Sequence, residues 1–193
     1  MKKILILAAA ALSLAACAVT PETAPAGAFQ TEADYAVTLP SDWSRWPSQI
    51  NYDTQGEYLT RDGVLLNRLH FMSIEDGGSL VRARRDFEIP LYTSGSTEFE
   101  VVELVTSSLS LIGYSSVEAD DIRPASFDGH DGLRFGLTGT WQNGLRVRGD
   151  VAAIARNERL DLVLFLAPEL HYYDTLSGEV DAIMSSIDMP DAE

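Results

Sequence analysis

Cysteine is almost missing from this chain of 193 residues: Cys17 is the only one. An internal disulfide is therefore excluded, and packing and hydrogen bonds must supply the stability. Lysine is missing after Lys3, so arginine carries every later basic charge against 29 acidic residues. Such a surface repels phosphate backbones, and nucleic-acid binding is not expected. The three histidines, His70, His130 and His171, are too scattered for metal-ligand spacing. A Gly-x-Ser-x-Gly elbow is also lacking, and Glu75-Asp76-Gly77-Gly78 has the wrong charge sign to cradle phosphate. No cofactor and no enzymatic activity are expected on these grounds. No apolar run is long enough to cross a bilayer core of about 30 Å as a permanent helix.

What is present begins at the N-terminus. Lys2 and Lys3 precede a short apolar run, Ile4 to Leu14, and Leu14-Ala15-Ala16 leads into Cys17. This is the layout of a secretory signal, and its ending resembles the lipobox of bacterial lipoproteins. The resemblance implies that residues 1–16 are removed, that the Cys17 thiol carries a diacylglyceryl group, and that the new amino terminus is acylated. A chance cysteine near an ordinary cleavage site is the alternative. A lone thiol in an exported protein has no internal partner, which favours lipidation. Several acyl chains anchor a protein stably where one does so only marginally. Ala18 stands where some lipoproteins carry an Asp that retains them at the inner membrane, which leans the expectation toward the outer membrane. Loss of the two lysines leaves twelve arginines and a net charge of −17.

Residues 17–33, rich in Ala, Pro and Thr, read as a flexible tether from the lipidated cysteine. Residues 34–190 are then one domain's worth of chain, enough for a real core. Tyr35 to Pro40 alternates as a short strand, Ser41 to Trp43 reads as a turn, and Ile50 to Tyr52 as another short strand. Asp62-Gly63 is a hairpin signal between β-prone runs, the second reaching from Val64 to about Ile74. Glu75 to Ser96 reads as a long loop. Thr97 to Gly113 predicts a helix: Thr97 and Glu100 form a capping box, and Phe99, Val102, Val105, Leu109 and Ile112 make one apolar stripe.

A meander follows. Val117 to Phe127 carries a strand closed by the Asp128–Gly132 turn, and Leu133 to Trp141 alternates. Asn143-Gly144 turns it back, and Leu160 to Ala167 is apolar on both faces toward its end, as a covered central strand would be. Tyr173, Leu176, Val180, Ile183 and Ile187 predict a last helix over Glu169 to Ile187. The expected fold class is α+β, a single antiparallel β-sheet sandwiched by helices. This order resembles the PsbP-like sandwich, the fold of the extrinsic photosystem protein and of a Ran-binding nuclear import factor. The residues that carry the resemblance are Tyr35-x-Val37-x-Leu39-Pro40-x-x-Trp43, Leu133-Arg134-Phe135 and Ser185-Ser186-Ile187. It implies the fold and transfers no functional residue.

Three local features invite chemistry. Asp128, His130 and Asp131, with Asp120 and Asp121 upstream, offer cation ligands, but a Gly-Asp turn is the plainer reading. Asp161 and Glu169 are carboxylates of unknown separation. Arg82, Arg84 and Arg85 break the acidic surface, either as a dock for an acidic partner or phosphate groups, or as a solvated loop neutralised by Asp86 and Glu88. The expected role is non-enzymatic: an envelope protein facing the periplasm that binds a partner or assists assembly. The alternative is small-ligand binding in a pocket between sheet and helices near Trp43, Trp46 and Tyr92.

Overall fold

The computed structural model describes residues 21–51, 53–82 and 88–190. Eight strands form one antiparallel sheet: β1 (Glu22–Ala24), β4 (Trp43–Trp46), β5 (Glu57–Thr60), β6 (Arg68–Glu75), β10 (Arg159–Pro168), β9 (Arg146–Arg156), β8 (His130–Trp141) and β7 (Tyr114–Phe127), in that spatial order. A separate two-stranded ribbon, β2 (Gly27–Gln30) with β3 (Ala36–Leu39), packs against one face.

Alternation in β10 sorts two cores. Leu160, Leu162, Leu164 and Leu166 face one, and Val163, Phe165 and Ala167 face the other. Helix α1 (Glu98–Leu111) closes the first through Val101, Val102, Leu104, Val105 and Leu109. Helix α2 (Asp174–Ser185) closes the second through Leu176, Val180, Ile183 and Met184, beside the ribbon's Val37 and Leu39. Each face therefore carries a helix, but the ribbon shares the second, so the architecture is dominated by sheet more than a sandwich by helices implies.

The capping box on α1 is formed as its sequence predicts: Glu100 N donates to Thr97 Oγ1, and Thr97 N donates to the Glu100 carboxylate. Phe99 departs from the predicted stripe and is exposed, whereas Val101, Val102, Leu104 and Val105 are buried. The last helix starts later than its periodicity suggests. Residues Glu169–Tyr173 form a kinked turn with His171 at φ 76°, and regular α-geometry begins at Asp174. The second hairpin arm begins at Arg68, since 64–66 belong to a wide turn around Gly63. Of residues 50–52, read as a short strand, Ile50 ends the 3-10 turn Ser48–Ile50, and residue 52 lies outside the described residues.

The flexible-tether reading of 17–33 is corrected over its second half. Ala24 is buried in β1, Ala33 is buried in the ribbon loop, and Thr31 Oγ1 donates to Tyr35 O at 2.6 Å. Small Ala residues looked featureless in sequence, yet their size is what lets strands lie close against the second core. Edge strand β7 carries two bulges, after Ser115 and after Asp120, together with Pro124. These disrupt its free ladder and discourage edge-to-edge pairing with another sheet.

Gly56 sits at φ 72° with its α-carbon against β6, so an added Cβ would collide with the Phe71 carbonyl oxygen and crowd Met72. Gly56→Ala is expected to destabilise the fold by more than about 1 kcal/mol, read as a lowered urea midpoint. An unchanged midpoint would show that this strand approach is looser than described.

Candidate functional site

Of the residues marked by sequence for binding, Cys17, Arg84 and Arg85 lie outside the described residues, and Arg82 lies within them. Arg82 is no freely solvated charge. Its Nη2 donates to Ser48 O at 2.7 Å, its Nε to Thr54 O at 3.2 Å, and its backbone N to Asp53 O at 3.1 Å. The guanidinium thus fastens the chain after β6 to the 48–54 turn.

Beside it lies an open cleft of about 410 Å³, bounded by Arg82, Ser48 and Ser79 on one side and by Glu32, Ser73 and Glu75 on another. Arginine and carboxylates around one volume suit a small polar molecule that carries both charge signs. A second open groove, of about 430 Å³, runs between the 90–96 loop and α1, where Leu91 and Leu104 meet Glu100 and Glu103.

The first cleft is built on buried charge. Glu57 is fully buried in β5; its Oε2 accepts from Arg45 Nε at 2.5 Å, and its Oε1 accepts from Glu32 N at 2.6 Å. Arg45 Nη2 also reaches Glu32 Oε1 at 3.2 Å. Burial pushes the Glu57 carboxyl above its ordinary value, while the bonds from Glu32 N and Arg45 oppose that rise. Glu57 therefore pins the ribbon loop to the sheet. Asp161, also fully buried, lies on the same face of β10 in an ionic contact with Arg156 Nε at 2.8 Å and Arg159 Nε at 3.7 Å. Tyr35 stands between the two carboxylates and donates to Leu162 O at 2.9 Å. Burial first, then Asp161, holds its phenol well above the ordinary range.

On the opposite face His70 is wholly buried. Asn51 Nδ2 donates to Thr54 Oγ1 at 2.7 Å, and the same hydroxyl hydrogen-bonds His70 Nδ1 at 3.1 Å. This network suits a neutral ring. Burial, followed by the Arg68 charge, drives the imidazole well below its usual 6.5.

A further polar group joins β9 to the last helix. Arg148 lies over the Tyr173 ring at 4.3 Å, and Tyr173 hydrogen-bonds Asp150. Burial and then Asp150 push the Tyr173 phenol up to about 12.

The other sequence candidates separate. Asp161 and Glu169 stand at opposite ends of β10, and Glu169 pairs instead with Arg146. Asp128 accepts from Met189 N at 3.1 Å within a tight turn, and Asp121 pairs with Arg123, so neither carboxylate turns to a shared cation. Among the described residues no group of three or more His, Cys, Asp or Glu gathers as a metal cluster. The expected pocket near Trp43, Trp46 and Tyr92 does not form. Alternation along β4 sends Trp43 into one core and Trp46 to the other face, where it stacks on Tyr58, while Tyr92 lies in the α1-side core. Glu57 escaped the sequence reading, and Asp161 was marked only as a carboxylate of unknown separation, although each is a charge set among residues that alternation buries. That conflict was the available signal.

These elements define an α+β fold of the PsbP-like type. The chain is similar to the solution structure of cyanobacterial PsbP (CyanoP) from Synechocystis sp. PCC 6803, with a TM-score of 0.58 and 12% identity over 92% of this chain and 99% of that one. No protein-family model matches the chain, and no curated protein does. At this identity the likeness concerns fold alone.

The neutral His70 sets the sign of a pH dependence. The unfolded chain takes up a proton near the ordinary 6.5 while the folded ring resists it, so stability is present above that value and lost as pH falls below it. Urea titrations from pH 7.5 to 5 should show this fall, approaching about 1.4 kcal/mol per pH unit at its steepest, and His70→Gln should flatten it. An equal slope in the variant would assign the effect elsewhere.

Proposed function

We propose that this protein is a lipid-anchored lipoprotein of the bacterial cell envelope, facing the periplasm, with a non-enzymatic role in binding a partner or assisting assembly of an envelope complex. The observation that carries the reading is Leu14-Ala15-Ala16-Cys17 placed directly after Lys2-Lys3 and an apolar run. Acylation of Cys17 gives the chain's only thiol a use, and Ala18 inclines the location toward the outer membrane. The position of β1 supports the reading in a more specific form. Only residues 18–21 separate Cys17 from the first sheet residue, Glu22, so the body hangs on a leash of about 17 Å at full extension. A domain held that close serves partners at the bilayer surface.

The groove beside α1, with exposed Leu91 at its rim, offers a protein partner a mixed apolar and acidic surface. A second reading, the capture of a small charged ligand, is favoured by the cleft that Arg82, Glu32 and Glu75 share. Arg82→Ala is expected to loosen the 48–54 turn and to abolish any affinity of that cleft for an anionic group.

Cys17→Ser tests the anchor. The native protein should fractionate with membranes and carry acyl mass on its N-terminal peptide, whereas the variant should leave the membrane fraction. An unmodified thiol on the native peptide, or an unchanged distribution of the variant, contradicts the proposal.

A further inference from the structure

We infer that one end of the sheet is a seat for the bilayer surface, a proposal that rests on the lipid-anchor reading and deepens it. Three separate chain turns meet at this end. Leu65 at the tip of the β5–β6 turn and Leu170 just past β10 are each 84% exposed, and Leu145 in the β8–β9 turn is 38% exposed. Leu65, Leu145, Trp141 and Pro168 line one shallow apolar depression of about 60 Å³, and Leu170 follows Pro168 by two residues. Leu170 points outward through the kink at His171, whose φ of 76° is sparsely populated for a non-glycine residue.

A lipid surface fits these features better than a folded partner does. Isolated leucines on separate turns give little continuous area for a shape-matched protein interface, yet each gains by entering the apolar edge of a bilayer. Trp141 and Tyr114, packed edge to face at 4.6 Å, combine apolar rings with polar tips as residues at a lipid–water boundary do. Arg68, which donates to the Tyr114 hydroxyl at 3.3 Å, brings positive charge to this end, while the exposed Arg146 is offset by its 2.8 Å ion pair with Glu169. The strand turns at the opposite end, Asp76-Gly77-Gly78, Asp128-Gly129 and Asn157-Glu158, are polar or charged, with the exposed Leu91 beside Gly78.

The register places the first sheet residue level with the same end. Glu22 lies opposite Arg45, Arg45 opposite Leu59, and Leu59 opposite Leu69, the second residue of β6 from this end. Cys17 is thus held within about 17 Å of Glu22, which lies level with this end on edge strand β1, three strands across the sheet from β6.

The test is quenching of Trp141 fluorescence by brominated acyl chains, with the acylated protein in phosphatidylethanolamine–phosphatidylglycerol vesicles. Quenching relative to unbrominated vesicles is expected, with its loss in Trp141→Phe. It should also be lost in Leu65→Ser/Leu145→Ser/Leu170→Ser, a variant that keeps its thermal midpoint because these side chains are at the surface. Absent quenching, or quenching indifferent to the serine changes, overturns the proposal. So does leucine-dependent self-association in ultracentrifugation, which would make the end an interface between copies. If the native chain proves unacylated, coupling Cys17 to a maleimide-headgroup lipid repeats the measurement. Failure there counts against the seat, whereas missing acyl mass counts against the anchor.

Discussion

Strand β10 is buried from Leu160 to Pro168 on both faces, and the remainder of the molecule is arranged to keep it so. A strand covered twice needs two independent lids. The chain supplies α1 for one face, and α2 with the β2–β3 ribbon for the other. Burial of this extent supplies the apolar area that a disulfide-free domain of this size relies on. It also sets the positions of the charges. Asp161 can lie inside β10 only because Arg156 and Arg159, from the adjoining turn and strands, come to meet it. Breaking such a pair by removing one partner leaves a stranded charge, which is far costlier than the pair's net worth.

Distance from β10 orders the functional features. At the sheet's β1 side Glu57 and Arg45 fasten the ribbon loop, and the cleft with Arg82 opens directly beside them. Across the sheet, bulged β7 closes the other edge to further pairing. The turns at the two ends of the sheet differ: those after β6, β7 and β9 are acidic or polar, and those at the other end present Leu65, Leu145 and Leu170. On the proposed lipid anchor, this polarity of the turns would set which end faces the membrane. The fold alone is compatible with many roles; the polarity is particular to this chain.

Much of the framework was legible in sequence because local and global preferences agree. The capping box at Thr97, the Asn143-Gly144 turn, the Leu133–Trp141 alternation and the doubly apolar Leu160–Ala167 run each appear in the structure close to where pattern places them. The PsbP-like order followed from them. The misreadings have physical causes. Residues 22–33 are small or polar, and their pairing with β4 and with β3 is dictated by distant chain, which no local window contains. Helical periodicity from Tyr173 extended backward over Leu170 and His171, whose backbone is not helical. Of the sites, the Arg82 run was visible as charge but not as a structural clamp. Glu57 and Tyr173 have raised values first because burial by chain distant in sequence disfavours their charged forms; Asp150 adds to the rise at Tyr173, while Glu32 N and Arg45 oppose it at Glu57.

The central claim is that two cores share one strand, so β10 should be the last part of the molecule to open. Native-state hydrogen exchange by NMR tests it most directly. The amides of Val163, Leu164 and Phe165, with their partners in β6 and β9, should exchange only through global unfolding, while those of β1 and β7 exchange through smaller local openings. Exchange in β10 as fast as at either edge would contradict the account, because it would mean that the two faces open independently of the strand between them.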